Sequence, residues 1–198
     1  MHMVTRESKT YENLMKAFAG ESQARNRYNI STAIAKKEGF YVVASVFDYT
    51  ADQERAHAKV FYQLLKEFAG DNISISGAYP VDLYDSTAQA LRSAQHNELE
   101  EWEKVYRSFG IVAKEEGFTE VAGIFERIAN IEKVHADRFT RLADEIESGT
   151  IFKKDEEIPW ICTVCGNIHV GKEPPEVCNV CQHPKGFYMP FSESFAES

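Results

Sequence analysis

Apolar residues recur at spacings of three and four from about residue 6 to residue 148, which is the pattern of helices that bury one face. This long stretch contains a single proline, Pro80, so little interrupts the helical pattern. Gly39 and Gly117 each follow a charged segment, where a glycine in the left-handed conformation would end one helix before the next begins. The pattern therefore predicts four long helices, at about residues 6–37, 40–69, 84–115 and 118–147.

The connections between the predicted helices differ in length. The first and second helices join tightly, as do the third and fourth, whereas residues 70–85 form a longer polar connection. Four helices with one long crossover form the ferritin-like bundle. We therefore predict an all-α four-helix ferritin-like bundle over residues 1–148, a charged linker at 149–158, and a small C-terminal metal-knuckle domain at 159–198.

The helical region contains an internal repeat. Tyr28–Phe61 aligns with Tyr106–Phe139 at an offset of 78, with 14 of 34 positions identical. A duplicated helix hairpin would pack as two halves around a pseudo-two-fold axis, so any polar group that faces the axis would appear twice.

A Glu-x-x-His pair occurs at the same place in each half, as Glu54 with His57 and Glu132 with His135. A single pair of this kind is common on a solvent-exposed helix face, but two copies at one place in a repeat favour a metal site. Bundles that bind two iron or manganese ions take a Glu-x-x-His from each of two helices and a further glutamate from each of the other two.

The two further glutamates should come from the first and third helices. Glu21 lies in a turn of otherwise small, uncharged residues, where a carboxylate is costly to bury unless a metal ion pairs with it. Glu98 is its counterpart in the repeat, and Glu101 lies one turn further on the same helix face. The neighbouring Glu100 and Glu103 are expected to face solvent.

The charge of this set predicts one mobile ligand. Four glutamates carry a charge of −4, which balances two divalent ions. Oxidation of the ions adds positive charge, and an exchange of the neutral ligand His57 for the carboxylate of Glu101 would offset part of it. Carboxylate and imidazole ligands suit iron or manganese, and zinc also binds such sites.

The spacing in the third helix predicts a local irregularity. Tyr28 follows Glu21 by seven positions, but Tyr106 follows Glu98 by eight. In an unbroken α-helix the extra residue would turn Glu98 by about 100° away from its symmetric position. A single π-helical turn absorbs one residue without ending the helix. We therefore predict an i→i+5 hydrogen bond between about Glu98 and Tyr106; a bend or re-spaced packing is the alternative.

All four cysteines lie in the last quarter of the chain, as Cys162-x-x-Cys165 and Cys178-x-x-Cys181. Two such knuckles supply four thiolates in a tetrahedral arrangement, and this spacing is a strong indication of a metal site. A structural zinc ribbon and a redox-active iron site both fit the spacing. A domain this small could hardly fold without its metal ion.

The composition limits the classes of partner. The chain has 31 acidic and 22 basic residues, a net charge of −9, and no basic cluster for phosphates, so nucleic acid is not an expected partner. The longest mostly apolar stretch, Phe40 to Phe47, is far shorter than the ~20 residues of a membrane-spanning helix. The first twenty residues mix charged and apolar positions, unlike a signal peptide, so we expect a cytoplasmic protein with no membrane partner.

Together these motifs resemble the rubrerythrin family over nearly the whole chain. Residues 18–28 are similar to that family's first-helix motif, and Glu98-x-x-Glu101-Trp102 and the two Glu-x-x-His pairs match its remaining diiron ligands. The segment from Trp160 through the four cysteines is similar to its rubredoxin-like domain. One departure is Gln182, because such knuckles often carry glycine after the last cysteine.

The resemblance implies a non-haem peroxidase that reduces hydrogen peroxide to water in oxidative-stress defence. It implies an oxo-bridged centre of two iron ions, and a third iron in the four-cysteine site that zinc can replace in recombinant protein. Electrons would come from rubredoxin or an NAD(P)H-dependent reductase, and the chain would form a head-to-tail homodimer or a higher homo-oligomer. The implied metal ligands are Glu21, Glu54, His57, Glu98, Glu101, Glu132, His135, Cys162, Cys165, Cys178 and Cys181.

Three residues are expected to act in catalysis. Glu101 would bind the oxidised metal pair in place of His57. Tyr28 and Tyr106, which are repeat partners, would hydrogen-bond the ligand carboxylates or peroxide; the alternative for both is plain core packing.

Two other functions fit the same residues. A ferroxidase that oxidises and sequesters iron would use the same bundle, but it needs no four-cysteine relay. A scaffold with a zinc ribbon and a metal-free bundle would bind one zinc ion and have no redox activity.

Overall fold

The computed structural model describes residues 4–194 as a helical bundle followed by a small three-stranded module. No helix within these residues is both long and apolar enough to cross a membrane. The helices are α1 (Lys9–Lys37), α2 (Tyr41–Leu64), α3 (Thr87–Glu100), α4 (Tyr106–Glu115) and α5 (Thr119–Glu147), and the strands are β1 (Ile158–Cys162), β2 (Ile168–Gly171) and β3 (Tyr188–Pro190). This architecture confirms the predicted fold class.

Local capping sets the helix boundaries. The side chain of Ser8 accepts a hydrogen bond from the first turn of α1, and Ser86 does the same for α3, so both helices begin about three residues later than predicted. Gly39 and Gly117 both have φ +84° and close the two tight hairpins, as predicted. The second helix is shorter than predicted, because α2 ends at Leu64 and a 3₁₀ turn follows it.

The buried apolar residues form two clusters, one at each end of the bundle. One cluster includes Tyr28, Phe47 and Phe139, and the other includes Phe61 and Phe125. On each helical segment the buried glutamates and histidines lie between the two clusters along the chain. The helices therefore hold a polar layer between two apolar layers, and that layer positions the candidate site.

The third predicted helix is interrupted by one π-helical turn at Glu101–Val105. The N–H of Tyr106 donates to the carbonyl of Glu101, which is an i→i+5 hydrogen bond. In contrast, α1 is regular α-helix from Lys9 to Lys37. The predicted π turn is confirmed, and a simple bend is not what absorbs the extra residue.

The C-terminal module is an antiparallel sheet in the order β2-β1-β3. Its core is very small: Trp160, Cys162, Cys178 and Tyr188 are the fully buried members, and the Trp160 indole N–H donates to the carbonyl of Gly171 at 2.9 Å. Half of this core is cysteine, so the stability of the module depends on what binds the thiols.

The module docks on the end of its own bundle. The rings of Tyr41 and Phe187 stack with centroids 4.0 Å apart, and a guanidinium nitrogen of Arg141 lies 2.6 Å from a Glu193 carboxylate oxygen. A Cβ atom on Gly186 would overlap the carbonyl oxygen of Gly39, so the close approach of the two backbones requires glycine there.

Residues 149–157 lie along the bundle and do not behave as a free spacer. Ile151 packs against the apolar cluster that contains Phe47, the Phe152 ring stacks on Phe40, and Lys154 pairs with Glu145 at 3.2 Å. Although this segment is highly charged, its two apolar residues bind it to the bundle.

Gln182 has φ +60°, and among residues 4–194 it is the one non-glycine residue with positive φ. The left-handed conformation costs a non-glycine residue roughly 1–2 kcal/mol, so we expect Gln182→Gly to stabilise the module by about 1 kcal/mol. Chemical unfolding of the metal-loaded module, followed by its metal absorption, measures the change. Gly166, at φ +75°, occupies the matching place in the first knuckle, and Gly166→Ala should shift stability in the opposite direction. A loss of stability in Gln182→Gly would contradict the expectation that the positive φ of Gln182 is strained.

Candidate metal centres

The two Glu-x-x-His pairs meet in the centre of the bundle. Each histidine contacts both glutamates: His57 Nδ1 lies 2.9 Å from a Glu54 oxygen and 3.1 Å from a Glu132 oxygen. His135 Nδ1 lies 2.9 Å from Glu132 and 3.0 Å from Glu54. Because α2 and α5 each present a carboxylate and an imidazole one turn apart, the duplicated motif produces a four-residue cluster.

Glutamates from α1 and α3 complete two overlapping groups. Glu21 joins Glu54, His57 and Glu132, and Glu98 joins Glu54, Glu132 and His135, with the ligand atoms of each group within 4.8 Å of one another. Glu54 and Glu132 belong to both groups. The arrangement has the pseudo-two-fold form that the repeat predicted, with two shared carboxylates and one carboxylate and one imidazole at each end.

The cluster fits two divalent metal ions. Buried oxygen atoms of Glu21, Glu98 and Glu132 and both ring nitrogens of His135 have no hydrogen-bond partner within the described residues. Buried polar atoms are normally hydrogen-bonded, and burying unpaired carboxylates is costly. Converging carboxylate oxygens and imidazole nitrogens, several of them unpaired, suit iron, manganese or zinc.

In the absence of metal the cluster retains protons. Burial, together with the charges of Glu132 and Glu54, raises the pKa of Glu21 well above its usual range. Burial and the charge of Glu54 raise the pKa of Glu98 to about 8. Burial alone would lower the pKa of His57, but its contacts with Glu132 and Glu54 raise it to about 9. Each of these groups is a predicted metal ligand, so its proton would compete with a metal ion.

We therefore expect metal affinity to rise with pH. Below the raised pKa values the carboxyl groups and His57 are protonated and compete with the metal, and deprotonation removes this competition. The association constant for Co²⁺ should increase about tenfold per pH unit for each proton released, between roughly pH 6 and pH 9. Calorimetric titrations of metal-free protein with Co²⁺, in two buffers of different ionisation enthalpy, measure both the affinity for Co²⁺ and the number of protons released. A pH-independent affinity would show that the ions bind elsewhere.

The two repeat-partner tyrosines connect the halves of the bundle. The Tyr106 hydroxyl donates to Glu21 at 2.6 Å, and the Tyr28 hydroxyl donates to Glu98. Both rings are buried. Each tyrosine therefore orients the unshared glutamate of the opposite half, which favours a role at the site over plain core packing.

Glu101 lies beside the cluster but in neither group of converging ligand atoms. It begins the π turn and is partly exposed. Burial and the charges of Glu98, Glu132 and Glu54 raise the pKa of Glu101 well above its usual range. Its neighbours differ: Glu100 pairs with Lys104 at 3.0 Å and Glu103 is exposed, as predicted.

The four cysteines converge in the C-terminal module. Their sulfur atoms lie within 4.8 Å of one another, and the closest pairs, Cys162 with Cys181 and Cys165 with Cys178, are 3.7 Å apart. A disulfide needs about 2.05 Å, so the sulfurs are arranged as ligands. The backbone N–H of Cys181 and the Tyr188 hydroxyl lower the pKa of Cys178 to about 6, which favours a thiolate.

Family models match both parts of the chain. The model described as Rubrerythrin matches residues 12–143, and the model described as Rubrerythrin, rubredoxin-like domain, matches residues 160–188. The chain belongs to the rubrerythrin family. The rubrerythrin of Clostridium perfringens is 46% identical over 189 residues, which cover 95% of this chain and 97% of that protein. The rubrerythrin of Nitratidesulfovibrio vulgaris is 40% identical over 181 residues, covering 91% and 93%.

Two solved structures share the architecture. Nigerythrin in its fully reduced, all-ferrous state has a TM-score of 0.62 and 30% identity, with 96% of this chain and 92% of that chain covered. Symerythrin from Cyanophora paradoxa has a TM-score of 0.60 and 22% identity over 74% of this chain, and this likeness extends only to the fold.

Proposed function

We propose that this member of the rubrerythrin family is a non-haem diiron peroxidase that reduces hydrogen peroxide to water in the cytoplasm. One observation carries the proposal: a single chain combines a buried cluster that fits two metal ions with a separate four-thiolate site. The four-thiolate site would accept electrons one at a time and pass them to the two-metal site, where the reaction would occur. Nigerythrin, described as all ferrous in its reduced state, supports iron as the metal. A ferroxidase would need the bundle but not the four-thiolate site.

The buried glutamates and histidines of the bundle form two ligand sets, one for each of the two ions. Glu54 and Glu132 would help to hold both ions, Glu21 with His57 would hold one ion, and Glu98 with His135 the other. Bound iron would supply two electrons and Lewis acidity for cleavage of the O–O bond. The third iron would be held by Cys162, Cys165, Cys178 and Cys181.

The chain must also supply or relay protons, because reduction of one hydrogen peroxide to two waters takes two electrons and two protons. Glu101 is suited to hold one of these protons on its carboxyl oxygen, since its pKa is raised and it lies between solvent and the cluster. As the extra carboxylate of its half, Glu101 would also replace the neutral ligand His57 when the charge of the pair increases. Tyr28 and Tyr106 would hold Glu98 and Glu21 in place during that exchange.

The electron donor would be rubredoxin or an NAD(P)H-dependent reductase, and electrons would enter at the four-cysteine iron. Within one chain the module contacts the start of α2 at Tyr41. Glu54 lies 13 residues further along that helix, which is about 20 Å at the α-helical rise. This separation supports a head-to-tail homodimer in which the module of one chain supplies the cluster of the other.

Metal analysis and a turnover assay test the function together. Protein expressed in iron-rich medium should contain about three irons per chain, two in the bundle and one in the module. It should oxidise reduced rubredoxin when hydrogen peroxide is added, with two equivalents of donor consumed per peroxide. One zinc per chain and no turnover would identify a scaffold. Iron taken up far beyond three ions per chain, in particles much larger than a dimer or tetramer, would identify a ferroxidase store.

A further inference from the structure

The side chains of the metal cluster differ in their exposure to solvent. Glu21, Glu54, Glu98, Glu132 and His135 are at most 1% exposed, and His57 is 8% exposed. Glu101 is the most exposed member of the set. It begins the π turn after α3, so the cluster comes nearest to solvent at this side chain.

The long crossover contacts both α1 and α3 beside their buried glutamates. On α1 the Tyr79 hydroxyl donates to the carbonyl of Lys16 at 3.2 Å, and its ring lies 3.8 Å from the place of a Cβ on Gly20, the residue before Glu21. On α3 the side-chain amide of Asn97, the residue before Glu98, donates to Asp82 at 2.8 Å.

A buried ion pair fixes the same part of the crossover to α1. The carboxylate of Asp82 pairs with the guanidinium of Arg27, and both side chains are about nine-tenths buried. Lys16, Gly20 and Arg27 lie on one face of α1, at spacings of four and seven residues. Asn97 and Glu101 lie four residues apart, on one face of the third helix. Residues 79–82 therefore lie across α1 and the helix that leads to Glu101.

Tyr79 is the large crossover side chain that packs on α1 beside Glu21. The pKa of its hydroxyl is raised by partial burial and by the Glu101 carboxylate, so the two groups lie within electrostatic reach. Its neighbours along the crossover point away, since Val81 is 82% and Leu83 is 75% exposed. Gly77 leaves room for Tyr79, whose hydroxyl oxygen lies 3.3 Å and whose ring lies 3.4 Å from the place of a Cβ there.

We propose that Tyr79 determines substrate size: its ring, fixed on α1 beside Glu21 and Glu101, admits hydrogen peroxide and excludes bulky organic hydroperoxides. The inference rests on the proposed peroxidase function and specifies its substrate class. An organic hydroperoxide has the same electron balance, because ROOH takes two electrons and two protons and gives ROH and water. The discrimination therefore comes from access to the cluster and not from a different reaction.

Three variants distinguish the effect of the Tyr79 ring from the effect of its hydroxyl group and from the effect of any change in the crossover. Tyr79→Ala removes the ring, and Tyr79→Phe keeps the ring but removes the contact with Lys16. Tyr84→Ala is the matched control, since Tyr84 is a similarly exposed tyrosine of the same crossover and makes no hydrogen bond within the described residues. Circular dichroism and metal content verify that each variant is folded and loaded.

The measurement is kcat/KM for hydrogen peroxide and for cumene hydroperoxide. Tyr79→Ala should raise the value for cumene hydroperoxide about 10- to 100-fold, which is the range that pocket contacts contribute to discrimination. The value for hydrogen peroxide should change much less. Tyr79→Phe and Tyr84→Ala should keep the wild-type preference. An unchanged ratio in Tyr79→Ala, or an equal rise for both substrates, would overturn the proposal.

A second readout needs no turnover. Azide and benzoate are added to the oxidised, metal-loaded protein, and binding is followed by the change in absorption. Azide should bind wild type and Tyr79→Ala equally, whereas benzoate should bind Tyr79→Ala at least about tenfold more tightly. If wild type reduces neither peroxide, the proposed function fails while the benzoate result still decides the role of Tyr79. If wild type reduces hydrogen peroxide but neither readout changes in Tyr79→Ala, only the role of Tyr79 fails.

Discussion

Glu132→Ala should remove both metal ions from the bundle, whereas Glu21→Ala should remove one. Glu132 belongs to both groups of converging ligand atoms, but Glu21 belongs to one. Loss of a group that merely orients a ligand already lowers metal affinity about 10- to 100-fold. Loss of a shared carboxylate should therefore lower the affinity for each ion by more than about 100-fold. Titration of the metal-free variants with Co²⁺ counts the ions bound, and peroxide turnover should fall to background in Glu132→Ala.

Glu103→Ala is the control for this comparison. Glu103 lies in the same π turn as Glu101 but is exposed, so the variant should bind two ions with wild-type affinity. Glu54→Ala should reproduce the loss seen in Glu132→Ala, because the two residues are equivalent in the repeat. Retention of two tightly bound ions in either shared-carboxylate variant would refute the two-ion arrangement. Equal losses in Glu21→Ala and Glu132→Ala would show that the carboxylates are not shared.

Cys178→Ser should unfold the C-terminal module and leave the bundle folded. The sulfur of Cys178 is both a predicted ligand and one of four fully buried core residues of the module. Metal binding to four thiolates contributes on the order of 10 kcal/mol to small domains of this kind, far more than so few buried side chains can replace. Hydrogen exchange at β1 and β3 should lose protection, while α1 and α5 should remain protected.

The control stays within the same knuckle. Val180 lies between Cys178 and Cys181 and is 64% exposed, so Val180→Ala should keep both the metal ion and the sheet. Reduction of peroxide by rubredoxin should stop in Cys178→Ser and continue in Val180→Ala. A module that remains protected without its metal ion would mean that the strands and Trp160 suffice for folding. Continued turnover in Cys178→Ser would mean that electrons bypass the module.

The position of the docked module on the bundle bears on how electrons would reach the metal cluster. The charged residues of the segment after α5 suggest a flexible spacer, but Ile151 and Phe152 hold it to the bundle. Gly186 and the stacked rings of Tyr41 and Phe187 then fix the module at the Gly39 turn. The proposed transfer between chains would therefore depend on how two chains pair with their modules docked in this position.

The sequence alone determined the parts of this protein that depend on local spacing. A Glu-x-x-His pair lies on one helix face whatever surrounds it, and its duplication in a repeat predicted how the two halves meet. The π turn followed from a difference of one residue between Glu21–Tyr28 and Glu98–Tyr106, because each residue turns an α-helix by about 100°. The glycine turns at Gly39 and Gly117 and the four-cysteine knuckles were predictable for the same reason.

Only the tertiary structure decided the features that depend on contacts between distant segments. The crossover has no hydrophobic period, and two of its large apolar residues remain exposed, so nothing local indicated that Tyr79 and Asp82 would lie beside Gly20 and Arg27. The docking of the module likewise depends on two glycine backbones that meet across the chain. Periodicity determines which face of a helix is buried, but the path of an unpatterned segment is determined by a few specific long-range contacts.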